Sequence, residues 1–306
     1  MKNLIIFNGR AGEGKAQEQF DVIKNAFSDS DCLVHVTSAP REAVTFVRSY
    51  LEKNKDEAVR IYACGGDGTL HEVINGAVGH PNVEIALYAI GTGNDFAKIY
   101  GGKEKFLDIK KLIDGKATPI DISKISGGNL EEPYYSINVI NFGFDAIVGA
   151  VGNKNKEKGK KDPYGKALKT AIFKGRFNKI KVVADGKQLN KKKMLLCTLA
   201  NGQYVGGKFH CAPKSDNTDG LIDVCLLHTR SLFAFLGILN PYTDGKHLDT
   251  PKYVKTLEYV RAKRISIDSL NPKKDVDVCV DGEMISGKHF DVEIMPGAIK
   301  FIIPKE

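Results

Sequence analysis

The most informative turn of the chain is Gly65-Gly66-Asp67-Gly68-Thr69. It follows an apolar run at 59–64 that predicts a buried strand, and it precedes a helical pattern that starts at Leu70. A glycine-rich turn between a strand and a helix N-terminus lets backbone N–H groups approach a phosphate closely. A carboxylate at Asp67 would repel phosphate unless a cation bridges them or the carboxylate binds a hydroxyl. The turn therefore indicates a metal–nucleotide site, with a helix N-cap role for Asp67 as the alternative.

A second polar turn runs from Gly91 to Ala97 and follows the strand-like run 85–90. Thr92 offers a hydroxyl group, Asn94 an amide and Asp95 a second carboxylate. Taken alone, the turn could be a helix start capped by Asn94 or Asp95. Together with Asp67, it predicts two carboxylates on one rim of a sheet, an arrangement suited to a metal-bound nucleotide or to orienting an acceptor hydroxyl.

The earliest glycine-rich turn spans residues 8–16 and fits the phosphate-loop pattern up to Gly14-Lys15. That pattern continues with Ser or Thr, whose hydroxyl binds Mg²⁺, whereas this chain has Ala16. We therefore expect phosphate contact here but disfavour a phosphate-loop NTPase.

Two acidic turns lie in the second half of the chain. Residues 216–221 are dense in oxygen ligands and could hold Mg²⁺ through Asp219 and nearby carbonyls, although spacing alone favours a plain Asx turn before a strand. Asp281-Gly282-Glu283 is a hairpin signal, and its two acids could supply a general base.

The elements that must position these turns differ between the two halves. Up to about residue 120, strand-like runs alternate with helical patterns, which predicts a parallel sheet with helices on its faces and ligand loops at the carboxyl ends of its strands. The predicted strands are 3–8, 32–37, 58–64 and 84–90, and the predicted helices are 16–27, 40–53, 69–78 and 104–114.

After residue 120, many short strand-like runs and hairpin signals predict an antiparallel sandwich with few helices. The predicted strands are 117–125, 134–140, 179–184, 194–200, 221–227, 264–268, 276–281, 289–294 and 298–303, with helices at 163–176 and 231–239. The lysine-rich stretch 152–161 is predicted to be a mobile loop.

Composition and charge narrow the class of protein. The 306 residues carry a net charge of +8, and residues 151–195 alone hold 15 Lys or Arg against 3 Asp or Glu. This basic segment indicates an anionic partner such as a membrane surface, or else a solvated loop; nucleic acid is disfavoured because no recognition motif is present. Six cysteines without metal spacing, no secretory signal and no apolar run long enough to span a bilayer predict a cytoplasmic protein.

Taken in order and spacing, the three early turns, Asp219-Gly220 and Asp281-Gly282-Glu283 resemble the diacylglycerol kinase catalytic-domain family of bacterial lipid kinases, which is related to the sphingosine kinases. The resemblance covers residues 3 to about 303. It implies an α/β nucleotide-binding domain at 1–122, joined by the C-terminal segment 297–306, and a β-sandwich domain at 123–296, with ATP bound between them. It implies phosphorylation of the hydroxyl of diacylglycerol or a related lipid alcohol, with ATP and Mg²⁺ as cofactors.

The resemblance also assigns roles by position. Mg²⁺ would be held by Asp219 with the carbonyls of Asp216 and Leu221, and Glu283 would be the active-site acid with Asp281 beside it. Asp67 and Asp95 would position the metal–nucleotide and the acceptor. The implied nucleotide contacts are Asn8, Gly9, Arg10, Ala11, Gly12, Thr37, Gly66, Asp67, Gly68, Thr69, Leu70, His71, Glu72, Thr92 and Asn94.

Two departures and two alternatives accompany this interpretation. Gly9 stands where the family usually has proline, and the lysine-rich insert near 154–161 has no match. An NAD-kinase-like enzyme would use the same GGDGT turn, and a non-catalytic nucleotide-binding regulator at the membrane is the other alternative. Peripheral contact of the basic segment 151–195 with anionic phospholipid headgroups is expected, and a homodimer is left open.

Overall fold

The structure, a computed structural model, describes residues 1–12, 16–27, 32–157, 178–190, 193–228, 232–253 and 256–306. The chain divides into two compact units. The first comprises Met1–Ile122 and Pro296–Glu306, and the second comprises Ser123–Met295.

The first unit is an α/β fold around a parallel sheet. Its strands lie in the order β2-β1-β3-β4, and the end of the last strand, β16, adds a further parallel strand beside β4. The strands are β1 Lys2–Asn8, β2 Cys32–Thr37, β3 Val59–Gly65 and β4 Val83–Ala89. The helices are α1 Ala16–Ala26, α2 Glu42–Lys53, α3 Asp67–Ala77 and α4 Ile109–Ile113, with 3₁₀ turns at Phe96–Tyr100 and Lys103–Phe106.

Burial explains why these runs form central strands. Leu4, Ile5 and Ile6 of β1 are completely buried, because helices cover both faces of a parallel sheet. The helices α2 and α3 pack closely at Gly76, where an added Cβ atom would lie 2.8 Å from the carbonyl oxygen of Val44. A side chain at position 76 would therefore separate the two helices.

The second unit contains two antiparallel arrays. A six-stranded sheet has the order β12-β11-β10-β7-β14-β15, and a second array pairs the first part of β16 with β13, followed by β8 and β9. The strands that lie wholly in this unit are β6 Tyr134–Ser136, β7 Val139–Gly143, β8 Ile180–Ala184, β9 Lys187–Gln188, β10 Met194–Ala200, β11 Ile222–His228, β12 Leu257–Ala262, β13 Arg264–Ser269, β14 Val276–Val280 and β15 Glu283–Gly287. Two strands, β5 Lys116–Gly127 and β16 His289–Ile303, each have residues in both units.

A shared apolar core holds these two arrays together. Ile140 and Val278 of the six-stranded sheet belong to the same buried cluster as Val182, Ile267 and Phe290 of the other array. Two helices, α5 Phe144–Glu157 and α6 Leu232–Thr243, contribute to a second apolar cluster with β10 and β11. Sheets packed through one apolar layer make this unit a β-sandwich.

The predicted fold class, an N-terminal α/β domain and a C-terminal antiparallel β domain, is confirmed, but several elements differ. The predicted strands 289–294 and 298–303 are one strand, β16, which continues through Pro296. The predicted strand 134–140 is two short strands, and β9, β12 and β15 were not predicted. Helix α5 extends to Glu157, so the part of the predicted loop before residue 158 is helical. The predicted helix 163–176 lies outside the described residues.

Candidate functional site

The three early turns meet at one edge of the parallel sheet. In the strand register, Asn8 lies beside Thr37, Phe7 beside Cys64, and Gly65 beside Ala89. The turns after β1, β3 and β4 therefore begin at the same level, at the carboxyl ends of their strands. This is the edge at which open α/β sheets bind ligands.

Two of these turns are in backbone contact. The N–H of Gly91 donates to the carbonyl oxygen of Gly65 at 3.0 Å. A Cβ atom added to Gly91 would lie 2.3 Å from the Cα atom of Gly66, so neither turn can keep this position with a side chain there. By contrast, a Cβ atom added to Gly68 would meet nothing within 4 Å. The first turn of α3 is thus open at Gly68, where backbone N–H groups are available to a phosphate.

Asp67 is the first residue of α3 and fixes the next turn. One carboxylate oxygen accepts a hydrogen bond from the backbone N–H of Phe96 at 3.0 Å. The other oxygen would lie 3.2 Å from a Cβ atom added to Gly93. The carboxylate therefore joins the GGDGT turn to the GTGND turn, and its bond to Phe96 gives it a structural function.

Two of the three polar residues in the turn from Gly91 to Ala97, Asn94 and Asp95, are buried. Asn94 has a φ angle of 47°, and its amide nitrogen donates to the carbonyl oxygens of Ala89 at 3.2 Å and Gly91 at 2.6 Å. Asp95 forms an ion pair with Lys98 at 2.5 Å. Asn94 therefore stabilises the turn, and Asp95 has a cationic partner on its own segment. Thr92, in contrast, is exposed.

The turn that follows β1, at residues 8–12, is hydrogen-bonded to α3. The side-chain amide of Asn8 donates to the Thr69 hydroxyl at 3.2 Å, and its oxygen accepts from the backbone N–H of Arg10 at 3.0 Å. The Thr37 hydroxyl bonds the carbonyl oxygen of Phe7 at 3.4 Å. Gly9 and Arg10 are exposed at the rim, and Ala11 and Gly12 are partly exposed. Gly14 and Lys15 of the phosphate-loop pattern lie outside the described residues.

The residues of α3 that follow the GGDGT turn face the protein interior or bind its backbone. Leu70 and His71 are buried, so a nucleotide could reach them only through their backbone groups. Glu72 accepts hydrogen bonds from the backbone N–H groups of Arg41 at 2.9 Å and Ala43 at 3.2 Å. Its carboxylate therefore caps α2 and holds the segment that follows Thr37.

In the second unit, the acidic turn 216–221 has the geometry of an Asx turn. Asp216 accepts from the backbone and hydroxyl groups of Thr218, and Asp219 accepts from the backbone N–H of Leu221 at 3.0 Å. The second oxygen of Asp219 lies 2.9 Å from the guanidinium of Arg261. Both acids thus have partners within the turn or from β12.

The oxygen atoms of the 216–221 turn and of the nearby Asp223 are of the type that binds a hard cation. Carboxylate and carbonyl oxygens are the ligands that Mg²⁺ prefers, and one oxygen of the buried Asp223 carboxylate has no hydrogen-bond partner in the described structure. Burial raises the pKa of Asp223, and the Tyr259 hydroxyl donates to its other oxygen. A cation at Asp219 would compete with Arg261. The described residues contain no cluster of three or more His, Cys, Asp or Glu side chains with metal-binding geometry.

The two acids of the late hairpin have different surroundings. Asp281 is partly buried and accepts four hydrogen bonds from residues 136–139. Glu283 is exposed at the start of β15, opposite Val280. The hairpin thus presents Glu283, not Asp281, to solvent.

Sequence reasoning missed two residues of these sites. Lys98 neutralises Asp95, and its spacing of three residues on a helical segment was an available signal. Arg261 pairs with Asp219 across 42 residues, and no local pattern indicates that contact.

Comparisons with known proteins agree with this geometry. Residues 2–125 match the diacylglycerol kinase catalytic domain, and residues 138–303 match the YegS C-terminal NAD kinase beta sandwich-like domain. The chain is 27% identical to a diacylglycerol kinase of Bacillus subtilis over 99% of this chain and 96% of that protein. It is 23% identical to a diacylglycerol kinase of Mycobacterium tuberculosis over 80% of this chain and 77% of that protein.

Solved structures show the same fold. A diacylglycerol kinase from Bacillus anthracis superposes with a TM-score of 0.72 at 20% identity, covering 98% of this chain and 96% of that one. Within the described residues, no helix is both long and apolar enough to cross a bilayer.

Proposed function

The chain belongs to the diacylglycerol kinase catalytic-domain family of lipid kinases, and from this premise we propose that it transfers the γ-phosphoryl group of ATP to the hydroxyl of diacylglycerol or a related lipid alcohol. The observation that carries the proposal is the meeting of three glycine-rich turns at one sheet edge, with Asp67 between two of them. Backbone N–H groups at this edge would bind the phosphates.

The residues of the edge have separate roles in this proposal. The open backbone at Gly68 lets a phosphate approach the N-terminus of α3, where the helix dipole favours negative charge. Asn8 and Thr69 hold the first turn against that helix. Positioning and electrostatic stabilisation are the main sources of rate in phosphoryl transfer, so a rigid edge of this kind suits the reaction.

Mg²⁺ is part of the proposal. Asp67, with one carboxylate oxygen on Phe96, would position the metal-bound nucleotide, whose Mg²⁺ when bound neutralises charge on the phosphate oxygens. Asp219, with the carbonyls of Asp216 and Leu221, would hold a separate structural Mg²⁺. Asp95, already paired with Lys98, orients its segment. Glu283 would accept the proton of the attacking hydroxyl, and its exposure at the tip of a hairpin supports that role.

Contact with a membrane surface is proposed for the basic segment 151–195. Lys179, Lys187 and Lys193 are exposed on the described part of it, and each lysine near an anionic surface contributes about 1 kcal/mol. Co-sedimentation with vesicles of anionic lipid, compared with vesicles of neutral lipid, would measure this contact. Residues 158–177, 191 and 192 of the segment lie outside the described residues.

A second candidate is an NAD-kinase-like enzyme, because the C-terminal match is to an NAD kinase beta sandwich-like domain. The Asp281-Gly282-Glu283 tip and the GTGND turn favour the lipid acceptor. Purified protein with γ-labelled ATP should be offered a total lipid extract and, in parallel, NAD. Label in the lipid phase supports the proposal, and label in NADP would replace it with the second candidate. Binding of ATP without transfer to either would favour a regulator.

The variant Asp67→Asn tests the role of the carboxylate in transfer. Asparagine keeps an oxygen that can accept the bond from Phe96, so the fold should remain, while the negative charge is lost. Loss of transfer with an unchanged melting temperature is the expected result. Full activity of this variant would contradict the role given to the carboxylate.

A further inference from the structure

The carboxylate of Asp281 is enclosed by donors from the connection between β6 and β7. One oxygen accepts from the Ser136 hydroxyl at 2.8 Å and from the backbone N–H groups of Asn138 at 3.2 Å and Val139 at 2.8 Å. The other oxygen accepts from the backbone N–H of Ile137 at 2.8 Å. Four donors from four consecutive residues therefore converge on one side chain.

This arrangement leaves Asp281 poorly suited to proton transfer. One Asp281 oxygen accepts three of these hydrogen bonds, more than its two lone-pair sites hold in ideal geometry, and the other oxygen accepts one. A general base must reach the proton that it accepts with a lone pair directed at it. Both oxygens of Asp281 are directed instead at the chain's own hydroxyl and amide donors, which hold the carboxylate against residues 136–139.

The backbone of Asp281 shows what this contact accomplishes. Its φ angle is 47°, an uncommon conformation for a residue other than glycine, and its N–H donates to the carbonyl oxygen of Val139 at 3.0 Å. The side chain and the main chain of Asp281 thus both bind the start of β7. Gly282, with a φ angle of 101°, completes the turn, and Glu283 follows as the first residue of β15.

The connection that receives Asp281 is itself held in place. The carbonyl oxygen of Asn138 accepts from the N–H groups of Asn201 at 2.9 Å and Gly202 at 2.8 Å, and its side-chain amide donates to the carbonyl oxygen of Tyr204 at 2.9 Å. Residues 136–139 therefore join the hairpin tip to the loop that follows β10. Glu283 stands beside a rigid support, whereas in the described structure its own carboxylate makes neither a hydrogen bond nor an ion pair.

We propose that Asp281 is a positioning residue: it fixes the hairpin tip to residues 136–139 and so holds Glu283, the proton acceptor of the proposed function, in place. The catalytic part of this inference rests on the proposed lipid kinase function. The clamp itself, by which we mean the four hydrogen bonds from residues 136–139 to the Asp281 carboxylate, is a property of the fold. It differs from the expectation that Asp281 and Glu283 share the chemistry as a pair of acids.

Three variants separate these roles. Asp281→Asn keeps the size of the side chain but turns an amide nitrogen toward N–H donors. Ser136→Ala removes one of the four donors, and Glu283→Gln removes the proposed base. Because a displacement of about 1 Å can lower a rate about 100-fold, we expect kcat of Asp281→Asn to fall by about that factor. The loss for Ser136→Ala should be smaller, about tenfold or less.

The kinetic readouts distinguish positioning from chemistry. In Asp281→Asn, the KM for ATP should stay within about twofold, and the fall of kcat at acid pH should keep its wild-type midpoint, because the proposed base, Glu283, is still present. In Glu283→Gln that acid limb should disappear with most of the activity. The reverse pattern, with the limb lost in Asp281→Asn and kept in Glu283→Gln, would overturn the proposal.

Hydrogen exchange tests the clamp without any substrate. The amides of Ile137, Asn138 and Val139 should exchange at least about tenfold faster in Asp281→Asn than in wild type, with distant amides unchanged. Unchanged protection of these three amides would refute the clamp. If Asp281→Asn does not fold, Ser136→Ala serves in its place: its amides at 137–139 should exchange measurably faster, and wild-type protection would refute the clamp. A wild-type protein without transferase activity would refute the proposed function, while the exchange result still decides the clamp.

Discussion

Glu72→Ala should destabilise the first unit by detaching the start of α2 from α3. The Glu72 carboxylate accepts two backbone hydrogen bonds, from Arg41 and Ala43, and no side chain caps α2 locally. Arg41 has a φ angle of 65°, which an unsupported arginine rarely adopts. Removing an N-cap costs about 0.5–2 kcal/mol, and a bond to a charged group contributes about 1.5–3 kcal/mol.

We take about 2 kcal/mol as the net cost, because the freed N–H groups lie near the surface and recover bonds to water. With an unfolding entropy of about 2 cal/mol/K per residue, each kcal/mol lowers the melting temperature by about 3.5 °C if the first unit unfolds alone and by about 1.5 °C if the whole chain unfolds together. Differential scanning calorimetry should therefore show a fall of at least about 3 °C. The KM for ATP should also rise, because Thr37 precedes the detached segment.

The control is Glu52→Ala, which removes the same type of side chain from an exposed position on α2, the helix that Glu72 caps. Surface substitutions of this kind usually change stability by no more than about 0.5 kcal/mol. Equal melting temperatures for the Glu72 and Glu52 variants would refute the capping role. A normal KM for ATP together with a lowered melting temperature would show that the cap does not influence the nucleotide site.

Three further predictions concern glycine spacing and pH. Gly91→Ala should destabilise the fold by about 1–3 kcal/mol, because its Cβ would meet backbone atoms of Gly66, whereas Gly68→Ala should keep wild-type stability in urea titrations and raise the KM for ATP. Burial raises the pKa of Asp145 to about 6, so its ionisation weakens the fold as pH rises from 4 to 6. The free energy of unfolding of Asp145→Asn should exceed that of wild type at pH 8 by about 1–3 kcal/mol, with the difference gone at pH 4. Two neighbouring carboxylates raise the pKa of His289, so the protonated imidazole stabilises the fold below the unfolded-state pKa of about 6.5, and this stabilisation is lost as pH rises through the folded-state pKa. His289→Gln should therefore lower the melting temperature at pH 5.5 but not at pH 9. Equal shifts of the melting temperature at both pH values would refute the pairing.

The strands of the first unit were predictable because a parallel sheet is buried on both faces. Such strands appear in the sequence as unbroken apolar runs, and β1, β3 and β4 begin and end within about one residue of their predicted bounds. In the second unit, β12 escaped prediction because charged residues interrupt its apolar pattern, Leu-Glu-Tyr-Val-Arg-Ala. Pro296 and Gly297 suggested a break in β16, but the strand continues through them.

For the candidate site, the sequence indicates the position of the glycine-rich turns but not the hydrogen-bond partners of their acidic residues. Glycine spacing and the alternation of elements indicate which loops meet at one sheet edge, and the register agrees with that. The partners of individual acids are not encoded locally: Glu72 caps a helix that begins 30 residues earlier in the chain, and Asp281 binds amides more than 140 residues away. Acids that satisfy distant backbone groups and acids that face a ligand look alike in the sequence.

The most direct test of the central claim is transfer of label from γ-labelled ATP to lipid in mixed micelles that contain diacylglycerol and a lipid extract. Wild-type protein with Mg²⁺ should yield a labelled phospholipid identified by its mass, and the folded Asp67→Asn and Glu283→Gln variants should yield almost none. A wild-type protein that labels no lipid alcohol, or one that labels NAD instead, would contradict the account.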